Sequence, residues 1–346
     1  MQTSLRVVSF DVQNLHNGFG TGTFTMHPRD VKNLRHVWPH MTSLWVTYYE
    51  EFVWAGMITG LSLQNGALSL GCNVIEDYLN RRSIREDFYF PFEEQNIIGR
   101  ELVEYVRRNF GIPLYGAAIE SNYGRDRTYA GVSRLNVGEQ IVALSQVRNG
   151  FEWRTTGERV DGRWEATMTF ADKWGEDLDV TLVSDVDAPD YGLEINTDAH
   201  ATVVDSTSGQ DESTLIGSAY DFPYPTGDSA YVEFDTVQSF QDVKKESTLQ
   251  QQSEGYLSLN REPSITPRMV LTGREAMTGT GIHLGDTVEA RMCISGFRYE
   301  GPSRVIGETW HAAPDTASSR ELMLTPNNSP SQTMLDKKPC TNCPDC

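Results

Sequence analysis

The chain has 346 residues, 38% hydrophobic and 22% charged, with 48 acidic against 29 Lys and Arg side chains and a formal charge of −19. That apolar content is enough for packed cores and excludes wholesale disorder. An acidic body without a Lys/Arg cluster repels phosphate backbones and anionic lipid surfaces, which argues against sequence-specific nucleic-acid binding.

Residues 1–5 lack the basic and apolar regions of a leader, and no apolar run approaches the ~18–20 residues of a bilayer span. Synthesis in a cytoplasm without membrane insertion is expected. Glycine (29) and proline (15) are spread along the chain, as in a protein of many short strands joined by turns.

From Leu44 to Val74 the sequence reads as β. Leu61, Leu63, Leu68 and Leu70 alternate on either side of Asn65-Gly66, a pair that tolerates the positive φ of a two-residue hairpin. A helix is predicted from about Glu93 to Asn109, with Glu93 and Glu94 in its first turn and Ile98, Leu102, Tyr105 and Val106 as its apolar stripe. Gly111 can cap it and Pro113 prevents its continuation. A second helix is predicted from about Gly138 to Asn149. A second hairpin follows, turning at Asp161-Gly162, with Trp164, Ala166, Met168 and Phe170 on one face of its returning strand.

Residues 172–198 hold nine acids (Asp172, Glu176, Asp177, Asp179, Asp185, Asp187, Asp190, Glu194, Asp198) and one base (Lys173), a net −8. Strand-like pieces follow near Ala199–Ser206 and Ser213–Tyr220. A third helix is predicted from Thr236 to about Gln252, with Asp235 as N-cap and Gln238 three residues on. Short strands at Arg268–Thr272, Thr287–Ile294, Ser303–His311 and Glu321–Thr325 complete the reading. Residues 326–346 carry four prolines and little apolar material, so they read as a tail without a core of its own.

The expected fold is a β-rich, multi-domain α+β chain with two small β-barrels. The boundaries are an N-terminal barrel over 1–90, an α+β domain over 91–172, an acidic β-rich connecting domain with a helix over 173–254, a second barrel over 255–325 and the tail over 326–346.

Phosphate-binding glycine loops, zinc-protease helices and nucleophile elbows are absent as motifs. His36 and His40 have ligand spacing but are separated by Pro39 in a loop reading, which favours ordinary loop histidines. Asp185, Asp187 and Asp190 could gather oxygens for calcium, although the central glycine and distant glutamate of an EF-hand are missing, so a solvated acidic loop is the favoured reading. Most tryptophans fall on strand-like runs and read as core; Trp38 and Trp174 stand in loop contexts. Cys72 and Cys293 read as buried reduced thiols. Cys340, Cys343 and Cys346 form two overlapping C-x-x-C steps, three ligands where a closed zinc site needs four. No catalytic residue and no cofactor is expected.

Taken in order, Phe52-Val-Trp-Ala-Gly-Met-Ile, Leu68-Ser-Leu-Gly-Cys-Asn-Val-Ile-Glu-Asp-Tyr-Leu-Asn-Arg-Arg, Ile98-Gly-Arg-Glu-Leu-Val, Phe151-Glu-Trp-Arg, Leu284-Gly-Asp-Thr-Val-Glu-Ala and Arg304-Val-Ile-Gly-Glu resemble the baseplate or tail-tip hub family of tailed bacteriophages. The match is similar to minor tail proteins of long-tailed actinobacteriophages and to the hub part of tail-associated lysins. It covers roughly residues 1–325, in succession rather than in any invariant motif.

The resemblance implies a non-enzymatic virion protein of the tail tip: a homotrimer whose paired barrels make a pseudo-sixfold ring. That ring would join the tail tube and distal tail protein to the tip. The tape-measure protein and other minor tail proteins would be further partners, and the ring would gate the channel used in genome ejection. The hydrolase domain that follows in some relatives is not carried over. A receptor- or carbohydrate-binding minor tail protein and a tail-associated cell-wall hydrolase are the alternative functions.

Overall fold

The computed structural model describes residues 7–26, 39, 42–48, 50–64, 66–147, 149–208, 215–220, 234–239, 246–261, 264–273, 281–294, 297–313 and 316–326. Contacts divide the chain into two units. One comprises Met1–Tyr191, Met269–Arg291 and Pro302–Leu324, and the other Gly192–Arg268, Met292–Gly301 and Thr325–Cys346.

The first unit opens with β1 (Val7–Leu15), β2 (Thr21–Met26), β3 (Ser43–Tyr48), β4 (Glu51–Gln64) and β5 (Ala67–Val74). β4 and β5 form the expected hairpin, with Leu61 opposite Leu70 and Leu63 opposite Leu68. Asn65 itself lies outside the described residues. β2 extends the ladder on the far side of β5, Phe24 opposite Leu70 and Met26 opposite Leu68. Directly opposed residues share a face in an antiparallel sheet, so these side chains build one apolar face. It closes over a core containing Val12, Trp54, Ile58, Cys72 and Trp310.

A 3₁₀ turn (Ile75–Arg81) leads to β6 (Phe88–Glu94) and α1 (Gln95–Phe110). Glu93 and Glu94, expected in the first helical turn, instead end β6, opposite Arg125 and Gly124. The extended backbone of Glu94 (φ −56°, ψ 128°) delays the helix to Gln95. Gly111 terminates α1 in the left-handed region, φ 69°, as its missing Cβ allows. Next come β7 (Leu114–Ala118), β8 (Gly124–Tyr129), α2 (Val137–Ser145), β9 (Glu152–Val160) and β10 (Arg163–Ala171). The α2 N-cap is Asn136, whose side chain accepts from the Glu139 amide, and the helix ends at Ser145, one turn short of the expected Asn149.

The β9–β10 hairpin turns at Asp161 and Gly162 with φ 48° and 77°, the double positive φ that this turn type requires. α1 covers the β7–β10–β9 sheet. Ile98, Leu102 and Val106 join Met168, Phe170, Phe151 and Ile141 in a second core.

Further along the chain are β11 (Asp177–Val183), β12 (Asp190–Asn196), β16 (Ser264–Thr272), β17 (Thr287–Ile294), β18 (Phe297–Ala313) and β19 (Thr316–Pro326). The strand order β16-β19-β18-β1-β2-β5-β4-β3 joins both ends of the chain in one sheet, with β17 beside β18 and β11 beside β17. The junction is β1 against β18, antiparallel from Phe10↔Ala312 to Leu15↔Gly307. No pairing among the described strands closes either terminal strand group into a barrel.

The second unit contains the sheet β14-β13-β15, formed by β13 (Val203–Ser208), β14 (Leu215–Tyr220) and β15 (Asp235–Ser239), and the helix α3 (Glu246–Asn260). The helix predicted from Thr236 is thus corrected: residues 235–239 pair in parallel with β13, Val204 opposite Thr236, and Asp235 begins a strand instead of capping a helix. β-branched Thr236 and Val237 suit an extended backbone better than a helical turn. Ser253 Oγ lies 2.7 Å from the Gly217 carbonyl and 2.8 Å from Ser206 Oγ, so small residues on both elements let α3 approach the sheet closely.

Candidate functional site

The first unit contains a cavity of about 330 Å3, lined among others by Asn14, Glu76, Trp153, Thr155, Glu308 and Arg320. β1 brings Asn14, β18 brings Glu308 and β19 brings Arg320. The Asn14 side chain donates to Glu308 Oε1 (2.9 Å) and to the Val53 carbonyl (3.0 Å). Arg320 donates to Glu308 Oε2 through Nε (2.9 Å) and Nη2 (2.6 Å), and Nη2 also reaches the Ile282 carbonyl. Burial pushes the Glu308 carboxyl up, but the Arg320 charge and the hydrogen bonds from Asn14 and Arg320 outweigh it and hold the group below its ordinary range. Both oxygens of this carboxylate are engaged, which suits holding strands in register rather than moving protons. Glu76, in the 3₁₀ turn, is the opposite case: burial raises its pKa, and neighbouring Asp77 adds to the rise.

A second polar knot lies in the same unit. Arg304 grips Glu152 through both terminal nitrogens (Nη1 to Oε1 2.8 Å, Nη2 to Oε2 2.6 Å) and donates to the carbonyls of Trp174 and Gly285. Glu152 Oε2 also accepts the Trp174 amide at 2.6 Å. His16 Nε2 stands 3.4 Å from Glu152 Oε1. Burial lowers the His16 pKa more than the Glu152 charge raises it, with Arg304 adding to the fall. Asp286 accepts the Glu176 and His283 amides, and Gly175 and Gly285 (φ 89° and 90°) lie so close that a Cβ on Gly175 would stand 2.1 Å from Gly285 backbone.

The acidic stretch does not gather into a cation site. Asp187 Oδ2 accepts the Val183 amide (2.9 Å) and Asp185 Oδ2 accepts the Tyr191 hydroxyl (2.9 Å), so both carboxylates tie down their own loop. Val186 protrudes from its tip. No grouping of three or more metal-ligating side chains occurs among the described residues. Asp172 is drawn inward by Ser121, Gln95 and Asn96, whereas Glu176, Asp177, Asp179, Asp185, Asp190, Glu194 and Asp198 are exposed. Cys340, Cys343, Cys346, His36, His40 and Trp38 lie outside the described residues.

Cys72 is a buried free thiol whose pKa burial pushes up to about 12. Cys293 is disulfide-bonded, which corrects its reading as a reduced thiol. Among the tryptophans, Trp54, Trp153 and Trp310 are buried, Trp45 stacks on Trp164 at 5.8 Å, and half-buried Trp174 donates its indole N–H to the Thr169 carbonyl. Among the described residues the most exposed aromatics are instead Tyr89 and Phe92 of β6, the latter at φ 49°. No sequence motif marked them, because an aromatic on a strand is read as core by default. No helix among the described residues is long and apolar enough to cross a membrane.

No protein-family model matches the sequence, and no curated protein matches it. Solved structures do match in fold. The tail protein from Neisseria meningitidis MC58 superposes with a TM-score of 0.65 at 14% identity, covering 93% of this chain and 92% of that one. The 43 kDa tail protein of prophage MuSo2 from Shewanella oneidensis gives 0.64 at 9% identity, covering 93% and 94%. A chain of the lidded Francisella PdpA–VgrG complex gives 0.50 at 9% identity, covering 94% of this chain and 50% of that one.

Proposed function

We propose, from a fold shared with phage tail proteins along nine-tenths of both chains, that this protein is a structural component of a bacteriophage tail tip. The observation that carries the reading is this end-to-end correspondence, since a shared single module would be compatible with many roles. The character of the polar groups supports it. The buried ions at Glu308–Arg320 and Glu152–Arg304 are engaged in joining strands and loops, and seven acids between Glu176 and Asp198 are exposed.

The finer reading is a homotrimeric hub ring in the virion, joined to the tube through a distal tail protein, with the tape-measure protein and other minor tail proteins as neighbours. Barrel closure of the two terminal strand groups belongs to this same reading, as does gating of the DNA channel. The exposed acids between Glu176 and Asp198 suit a wall that DNA must pass without sticking, because like charges repel over a screening length of ~8 Å at physiological salt. No enzymatic step is required of the protein.

Gold-labelled antibody against the full chain, applied to intact particles and viewed by electron microscopy, tests the location. Label at the distal end of the tail is expected. Label on the capsid or along the tube, or none on particles that contain the chain, would refute the reading. Reversing Asp177, Asp179 and Asp190 to lysine should slow genome ejection while particles still assemble; unchanged ejection kinetics would remove the acidic-wall argument.

A further inference from the structure

Residues 81–85 read Arg-Arg-Ser-Ile-Arg, three cations in five positions of a chain that carries −19. They are too few for a nucleic-acid patch, yet one of them is held in an unusual way. The Arg82 guanidinium, just after the 3₁₀ turn, lies against two aromatic rings. Its central carbon is 4.3 Å from the centre of the Tyr78 ring and 4.4 Å from that of Phe110, the last residue of α1. Aromatic faces attract the cation but leave its in-plane N–H donors without acceptors.

No other group answers those donors. Among the described residues, which here run unbroken from 66 to 147, no carboxylate pairs with Arg82 and no oxygen accepts from its side chain. Nε is shut off from solvent without a partner. The arginines of α1 are treated differently: Arg100, Arg107 and Arg108 stand 2.8, 2.7 and 3.8 Å from Glu101 or Glu104. Burial lowers the Arg82 pKa and the nearby Arg85 charge adds to the fall, with no acid opposing them. The exposed side chains of Arg81 and Arg85 likewise form no ion pair. In a chain with 48 acids, a half-buried cation without a counter-ion is one that an anion from outside would relieve.

We propose that Tyr78, Arg82 and Phe110, with Arg85 beside them, form a binding site for a phosphate-class oxyanion. A guanidinium stacked on rings has its fork fixed in advance, which suits two-pronged contact with such a group. Three local cations without carboxylate partners favour the nearly doubled charge of a phosphate monoester over the single charge of a carboxylate. The net charge of the chain repels anions elsewhere, so capture depends on this local geometry.

The test follows thermal unfolding of the purified full-length chain near pH 7 in sodium phosphate, sodium chloride and sodium acetate at matched ionic strength. Phosphate should raise the Tm above that in chloride, with the logarithmic concentration dependence of one site whose Kd is on the order of 1 mM; acetate should not. Arg82→Met should weaken phosphate at least ~10-fold. Arg82→Lys, which keeps the charge and loses the fork, should also weaken it, and Arg85→Gln should do so roughly threefold. Glycerol 3-phosphate distinguishes the source: a matching rise means that the site accepts a phosphate carried on a larger molecule, and a rise with inorganic phosphate alone means that it takes the free ion.

If Arg82 only packs between the rings, its replacement will shift the Tm equally in phosphate and in chloride, and the proposal fails. It fails also if phosphate does no more than chloride, or if acetate matches phosphate. Particle labelling is unaffected by any of these results, so the tail-tip reading is judged separately.

Discussion

Arg304→Met should loosen the knot around Glu152 more than any single hydrogen bond would suggest. The substitution preserves much of the side-chain volume but removes both contacts to the Glu152 carboxylate and those to the Trp174 and Gly285 carbonyls. Both partners are mostly buried, with side chains 16% and 14% exposed. Removing one member of such a pair leaves a charge in low dielectric and costs ~3–5 kcal/mol, or about three decades in a local opening equilibrium at ~1.4 kcal/mol per decade.

The readout is amide exchange at Thr287, which donates to the Glu176 carbonyl, and at Val305, which donates to that of Asp286. Both belong to segments that the arginine ties together. Their protection should fall by roughly a thousandfold, and Glu152→Gln should do comparable harm because it strands Arg304. The double variant Arg304→Met/Glu152→Leu should recover most of the loss, since an apolar replacement of both partners leaves no stranded charge. A fall of less than tenfold in Arg304→Met, or additivity in the double variant, would refute the claim that this pair clamps the loops.

Four further outcomes follow from the same unit. Glu76 has a raised folded pKa, so its contribution is present below the ordinary 4.5 and is lost as pH rises through the folded value; the Tm gain of Glu76→Gln over wild type should therefore grow from pH 4 to pH 8. Glu308 is lowered, so its contribution is present above 4.5 and lost as pH falls through the folded value, and Glu308→Gln should cost more at pH 7 than at pH 3 by the same thermal scans. Gly175→Ala, with a Cβ 2.1 Å from Gly285 backbone at φ 89°, should cost about 3 kcal/mol in urea unfolding, and Asp187→Ala, which frees the Val183 amide, about 1 kcal/mol whether or not calcium is present.

Local order was legible wherever the determining interactions are local. The Leu61–Leu70 alternation names one face of one hairpin, and Asp161-Gly162 names a turn whose φ values the structure reproduces. The α1 stripe and its Gly111 stop are equally short-range, and the expected β-rich, multi-domain class follows from many such pieces. The misplaced helix start at Glu93 and that at Thr236, where the helix begins only at Glu246, share a cause. A charged or capping residue before an apolar run scores as a helix start, whereas partner strands decide: β8 takes Glu93 and Glu94, and β13 takes Thr236 and Val237. Propensity is a weak prior against an available hydrogen-bonding edge.

What period-two alternation cannot reveal is which strand lies beside which. Phe10 pairs with Ala312 and Leu15 with Gly307, across some three hundred residues, and neither segment carries a mark addressed to the other. The candidate polar sites were hidden for the same reason. Asn14, Glu308 and Arg320 are unremarkable one at a time and become a network only because β1, β18 and β19 are adjacent. Glu152 acquires its meaning from Arg304 in a strand that arrives much later. Such groups could have been sought as polar residues in otherwise apolar alternation, since a buried ion in a strand demands a partner. Glu308, between Val305 and Trp310 in a run expected to be core, is one that this rule would have flagged.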